Sequence, residues 1–228
     1  MSTKSEAPKD DLQQVNEALS RSEQFIEKNQ KNLYIALGVI IVLVSGVLLF
    51  RHSYLIPKEK EAQEMIFAGE QYFAADSFQL AIHGDGAEFI GFEGIIDDYR
   101  TTKTAKLAAA YAGLSYKKMG DYEKAIEYLK KCKAEDIMVS PALTGAVGDC
   151  YVELKEFAKA AEYFEKAATV DNELLSPIYL MKAARVYEKN KDYGKALKAY
   201  ERIKSKYPLS QEGSEVEKYI ERINNTLK

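Results

Sequence analysis

The sequence predicts an all-α chain: a single N-terminal transmembrane helix followed by an α-solenoid of paired helices. Three observations predict it. Residues 33–50, LYIALGVIIVLVSGVLLF, contain no charged side chain. Beyond them, a pattern of small and aromatic residues returns at steps of 35 and 36 positions. Finally, 13 Gly and 5 Pro among 228 residues are too few for a loop-rich β protein, whose many turns depend on those two residue types.

The apolar run sets the first element. At ~1.5 Å of rise per residue, a helix of this length covers roughly 27 Å, close to the ~30 Å hydrocarbon core of a bilayer. A helix also bonds its own backbone groups, as lipid requires. Gly38 and Gly46 are ordinary in a membrane helix. The run is longer than the apolar region of a cleaved signal peptide, and Arg51-His52-Ser53-Tyr54-Leu55-Ile56-Pro57 after it offers no small-residue cleavage pattern. An uncleaved anchor over 33–56 is expected. Tyr34 and Tyr54 stand where an interfacial aromatic belt would be, and Arg51 and His52 can reach the headgroups. Lys4, Lys9, Arg21, Lys28 and Lys31 before the run outnumber Arg51, Lys58 and Lys60 after it. That places the first segment on the cytoplasmic side by a slight margin.

Residues 1–32 form a polar arm. Its first ten positions have no apolar face to bury and read as disordered. From Leu12 on, Val15, Leu19, Ser22 and Ile26 follow helical spacing, which makes an amphipathic helix over 11–31. Such a helix lies on the membrane surface or docks onto a partner helix there.

The repeats occupy 58–210. Gly113-x-x-Tyr116, Gly148-x-x-Tyr151 and Ala184-x-x-Tyr187 align. Ala125, Ala160 and Ala196 follow twelve positions after each small residue, and Leu129, Phe164 and Tyr200 sixteen after. The small residue lets two helices approach closely, and the larger ones fill the adjoining space. Asp121-Tyr122, Glu156-Phe157 and Asp192-Tyr193 mark the turns within pairs. Ser140-Pro141 and Ser176-Pro177 read as helix starts, a capping hydroxyl before a first-turn proline. An earlier, degenerate pair is expected from Phe92-x-x-Ile95-x-x-x-Tyr99, 108 residues before Tyr200-x-x-Ile203-x-x-x-Tyr207. Its first helix would be 59–82, its turn His83 to Gly86, its second helix 87–99. About four helix pairs result. A capping helix over 211–228, carrying Val216, Ile220 and Ile223, would close the array, as repeat proteins require.

This frame resembles the tetratricopeptide repeat family over about residues 105–208. The departures are small: the period is not quite 34, and Ala109, Thr144 and Leu180 stand where an aromatic is usual. The resemblance implies a protein-binding groove lined by the first helix of each pair. In this numbering it would display Leu107, Ala110, Leu114 and Lys117 from one helix, Ala142 and Asp149 from the next, and Ile178, Met181, Arg185 and Glu188 from the third. Family members that grip a C-terminal carboxylate use Lys, Asn and Arg there. Ala110 and Leu114 occupy two of those places, so that mode is not expected.

The order of arm, anchor and repeats also resembles the membrane-anchored tetratricopeptide ancillary subunits of the bacterial Sec translocon. That resemblance implies a bacterial inner membrane, a cytoplasmic N-terminus and a periplasmic repeat domain. It also implies two partners, the Sec translocon and a membrane-anchored chaperone of prolyl-isomerase type. The GFEGIIDDY stretch and the repeat after it are similar in style to the outer-membrane assembly lipoproteins with tetratricopeptide repeats, but the arm has no cysteine to lipidate. A cytosol-facing receptor or scaffold, as on an organelle surface, shares the architecture.

Catalytic chemistry is not expected. The sequence has no G-x-S-x-G, P-loop, G-x-G-x-x-G or H-E-x-x-H pattern, so no enzyme, cofactor, metal site or small-molecule substrate is read from it. A net charge of -3 argues against nucleic acid. His83 beside Asp85 belongs to a turn with no third ligand. Cys132 and Cys150 read as buried thiols, with a disulfide as the alternative in an oxidising compartment.

Overall fold

The computed structural model of the chain describes the backbone of residues 9–132 and 136–227 and the side chains from residue 28 on within those stretches. All the secondary structure described is helical, and the chain divides into two units, Met1–Ile56 and Pro57–Lys228.

The first unit is dominated by α1, Lys9–Phe50, a single helix of 42 residues. Arm and anchor are therefore one helix, and Lys9 and Asp10, expected to be disordered, already belong to it. Residues 1–8 and the side chains of the Leu12-to-Ile26 stripe lie outside the described set. From Lys28 on, the helix is long and apolar enough to cross a membrane, with a mean hydropathy of 2.8 in its most apolar window and none of that window buried. A five-residue π-helical turn, Arg51–Leu55, follows α1. The amide of Ile56 donates to the carbonyl of Arg51, five residues back. This widening comes just before Pro57, which has no N–H to donate and whose ring crowds the preceding turn. The helix therefore does not stop at the proline; α2 runs Ile56–Ala74.

In the second unit the helices pair in sequence: α5 (Lys103–Met119) with α6 (Tyr122–Lys131), α7 (Val139–Glu153) with α8 (Phe157–Ala167), and α9 (Leu175–Lys189) with α10 (Tyr193–Lys206). Each pair turns in the same way. Gly120, Lys155 and Lys191 have φ of 84°, 60° and 63°. The next amide, of Asp121, Glu156 or Asp192, donates to the carbonyl of Tyr116, Tyr151 or Tyr187 at 3.0, 2.9 and 2.8 Å. The small positions act as the pattern requires. A Cβ on Gly113 would stand 2.7 Å from Leu129, and one on Gly148 2.7 Å from Phe164. Ala125, Ala160, Ala196 and Tyr200 are wholly buried, and Leu129 and Phe164 nearly so.

The first pair differs from its expected form. Its turn lies at Asp76, with φ of 55°, where Ser77 N donates to Tyr72 O at 2.8 Å. It does not lie at His83 to Gly86. The frame is Gly69-x-x-Tyr72, with buried Ala81 twelve residues on. The second helix of the pair is split into α3 (Phe78–His83) and α4 (Gly91–Asp98). Between them a loop closes on itself. Asp85 accepts from the amides of Ala87 (2.9 Å) and Phe89 (3.1 Å) and from the Tyr72 hydroxyl (3.1 Å). Gly84 and Gly91 both have positive φ, and a Cβ on either would strike backbone at 2.2–2.3 Å, so only glycine fits. After this insertion Phe92 returns to the plugging position, against Gly69, and is wholly buried. The alignment of Phe92 and Tyr99 with Tyr200 and Tyr207 is thus matched in space.

Two helix starts also move. Asp136 accepts from the amides of Met138 and Val139 at 2.7 and 2.9 Å, and Asn172 from those of Leu174 and Leu175 at 2.9 and 2.8 Å. These caps precede Ser140 and Ser176, which lie inside the first turns, with each proline one residue further on. The reason is that Asp and Asn reach the first free amides across a two-residue Asx turn. α11 (Gln211–Thr226) follows α10, capped by Ser210 and burying Val216, Ile220 and Ile223.

The apolar side chains form two clusters. The smaller holds Ile66, Phe89, Phe92, Ile95 and Tyr99 with Ala105, Ala108 and Ala112 of α5. The larger runs from Ile82 of α3 and Ala110 of α5 to Ile223. A carboxylate ties the split pair to its neighbour: Glu93 of α4 accepts from Tyr116 and Tyr128, each at 2.7 Å, and contacts His83 Nδ1 at 3.1 Å. His83 pairs with this glutamate and not with Asp85. Glu59 of α2 caps α5 from a distance, accepting from Lys103 N and Thr104 Oγ1 at 2.7 Å. Burial pushes both carboxyl groups up, but the hydrogen bonds they accept outweigh it and hold both below the usual value. Groups lowered in this way stabilise the fold above the ordinary carboxylate pKa of about 4.3, and that contribution is lost as pH falls through the lowered value. The melting temperature should fall on acidification below about pH 4.3, and Glu93→Gln should flatten part of that acid limb. An unaltered acid limb in the variant would remove Glu93 from the account.

Candidate functional site

The second unit carries an open groove of about 670 Å³. Its walls come from α5, α7 and α9, because each contributes the face left free by its partner helix. Leu114, Lys117 and Lys118 come from α5, Asp149, Val152 and Glu153 from α7, and Lys182, Arg185 and Val186 from α9; Phe73, Tyr122 and Phe164 complete it. On α5 and α7 the lining residues stand one, four and five positions after the small residue, Gly113 or Gly148. On α9 the groove shifts about a turn toward the helix start.

The central polar feature is a three-helix ion bridge. Asp149 Oδ2 meets Lys117 Nζ and Asp149 Oδ1 meets Lys182 Nζ, both at 2.8 Å. The three side chains are only 28–40% exposed. Lys182 Nζ also lies 5.4 and 5.8 Å from the ring centres of Phe164 and Tyr179, within range of a cation–π attraction.

Of the residues expected to line the groove, Leu114, Lys117, Asp149 and Arg185 come together here. Ile178 and Met181 instead line a smaller pocket with Lys182, Arg185 and Gln211, Glu212 and Glu215 of α11. Met181 is only 6% exposed. Leu107 is 44% exposed but lies outside the groove lining, and Ala110, at 5%, is packed into the core. Ala142 is exposed and also lies outside it. Glu188 is committed elsewhere: it accepts from Tyr200 Oη at 2.6 Å and from Arg222 of α11 at 2.7 Å on both carboxylate oxygens. The capping helix thus takes the part of α9 that a further repeat would have left open. The sequence reading missed Lys118, Val152, Glu153, Lys182 and Val186. Val152 could have been read, since it stands four positions after Gly148 as Lys117 does after Gly113; Lys118 and Glu153 lie one position further on. Lys182 and Val186 required knowing the shift on α9.

Chemically the groove offers charge and apolar surface. Cys150 is buried and its thiol is pushed up to about 11 by burial, with Lys117 opposing, so it is a poor nucleophile at neutral pH. Cys132 is raised too, by burial, and both cysteines are free. Among the described residues no three His, Cys, Asp or Glu side chains are grouped to hold a metal ion.

Comparison with known proteins agrees with this architecture. Tetratricopeptide-repeat models match residues 148–210 and 112–136, so tetratricopeptide repeats are found over those stretches, in agreement with the helix pairs described above. The chain is similar to Protein FLUORESCENT IN BLUE LIGHT, chloroplastic, of Arabidopsis thaliana, at 25% identity over 160 residues. That match takes in 68% of this chain and 47% of the relative, so the chain spans about half of the relative's length. Among solved structures it is similar to the crystal structure of MamA protein, with a TM-score of 0.51 and 18% identity over 74% of this chain and 88% of that one. This likeness is one of fold. Neither the repeats nor these relatives point to an enzyme.

Proposed function

We propose that the chain is a membrane-tethered adaptor whose repeat groove holds a partner polypeptide beside the bilayer. One observation carries this reading: a groove with a charged, half-buried floor stands on a repeat scaffold whose chain also holds a long apolar helix with no covering of its own. Tethering confines the groove to the membrane surface and raises its effective concentration against partners there. The fitting role is an accessory factor of protein translocation or of folding outside the cytoplasm. The partners are then the Sec translocon and a membrane-anchored prolyl-isomerase-type chaperone, with the arm cytoplasmic and the repeats periplasmic in a bacterial inner membrane. A second reading draws support from the relative whose name assigns it to the chloroplast: a scaffold on an organelle membrane. In both, residues 58–210 bind, and residues 211–228 cap.

The groove is tested by a photo-crosslinking residue at Glu153, which is exposed and lines it. The expected result is a discrete polypeptide adduct in membranes, lost when Leu114 is replaced by Glu and absent when the probe sits at exposed Lys198 on α10. Equal adducts from both positions would reject the groove. Protease treatment of intact cells, spheroplasts and organelles against an epitope after Lys228 separates the two orientations. The anchor has its own test. Val42→Arg places a charge near mid-bilayer at a cost of about 2.5–3.5 kcal/mol on insertion scales, and carbonate-washed membranes should lose the variant. Full retention would mean that α1 does not span.

A further inference from the structure

We propose that the groove selects an acidic segment within a partner polypeptide, with side-chain carboxylates seated among Lys117, Lys118, Lys182 and Arg185. This rests on the groove being the binding surface and goes on to name what it selects. The chain as a whole is acidic, with a net charge of -3. The groove inverts that sign: Lys117, Lys118, Lys182 and Arg185 stand against Asp149 and Glu153.

The inversion is built into the floor. Asp149 is shared by two lysines at 2.8 Å each, so one carboxylate faces two ammonium groups and one positive charge stays unbalanced. The trio is about two-thirds withdrawn from water, where charges are screened less than on an open face. An incoming carboxylate completes the set, which is the complementarity that fixes register and partner choice. Around the ions, Leu114, Val152 and Val186 supply apolar contact. The segment that fits therefore carries acidic and apolar side chains close together.

Other anionic partners match less well. A phosphate backbone is held by rows of cations, whereas here apolar side chains and two carboxylates interrupt the positive groups. A terminal carboxylate is not favoured either, since no Asn or Gln lines this groove.

The test uses the full chain in nanodiscs and three fluorescent twelve-residue peptides, acetylated and amidated so that no terminal charge remains. Their repeats are Glu-Leu-Glu-Ser, Gln-Leu-Gln-Ser and Lys-Leu-Lys-Ser. The acidic peptide is expected to bind about tenfold more tightly than the Gln peptide, and to weaken several-fold between about 50 and 300 mM salt. Lys118→Gln should weaken it further while leaving the melting temperature unchanged, and Lys198→Gln on α10 should not. Equal binding of the Gln or Lys peptide overturns the proposal while leaving the groove as a binding surface. Binding that ignores Lys118→Gln, or no binding of the acidic peptide, overturns it as well. Absence of the Glu153 crosslink in membranes would remove the groove reading itself, a separate outcome.

Discussion

Phe92→Ala is expected to destabilise the repeat domain by about 3–5 kcal/mol, the usual cost of emptying a buried aromatic site. The ring is wholly buried, packs face to face with Tyr111 at 5.3 Å and meets Gly69 on α2. Its loss opens a cavity where α2, α4 and α5 converge. Because Phe92 belongs to the smaller apolar cluster, the damage should be local. Hydrogen exchange should quicken across α3 and α4 while α7 to α10 keep their protection. Uniform loss of protection along the whole domain would mean that the two clusters melt as one.

Ala160→Trp is expected to exceed the about 1–3 kcal/mol typical of overpacking. Ala160 on α8 is wholly buried in the larger cluster, and an indole there must push neighbouring helices apart. Repeat arrays share stability between neighbours, so protection should fall on both sides, in α7 and in α9. A variant with unchanged exchange from residue 142 to residue 200 would mean that the repeats are not coupled through this position.

The regular part of the fold was legible because its signal is repeated. Gly113, Gly148 and Ala184 each precede a tyrosine by three residues, and the two glycines meet Leu129 and Phe164 across their pairs. The first pair carries the same signal at Gly69-x-x-Tyr72 and Ala81. It went unread because the inserted loop lengthens the spacing to the next copy to 44 positions, and because Gly84 and Gly86 look like the turn. Local propensity marked a turn there correctly, but it is the inserted one. The capping residues were misread for a related reason: Ser-Pro is a good helix start, and Asp136 and Asn172 are better placed ones. In the groove, the frame led to Leu114, Lys117 and Asp149, but also to Leu107, Ala110 and Ala142, which lie outside the lining. The shift on α9 depends on how the helices stack, and Glu188 was claimed by Arg222, 34 residues away in sequence. Long-range pairings of this kind leave no periodic trace.

The division of the core also decides how the molecule bears a pull. A force applied at Pro57 acts first on α2, the opening helix of the second unit. That helix is secured by Ala62 and Ile66 in the smaller cluster, by Gly69 under Phe92 and by Glu59 at the start of α5. Of the groove's lining, Phe73 alone sits on α2. A load applied there would be expected to strain the first pair before it reaches Asp149 and its two lysines.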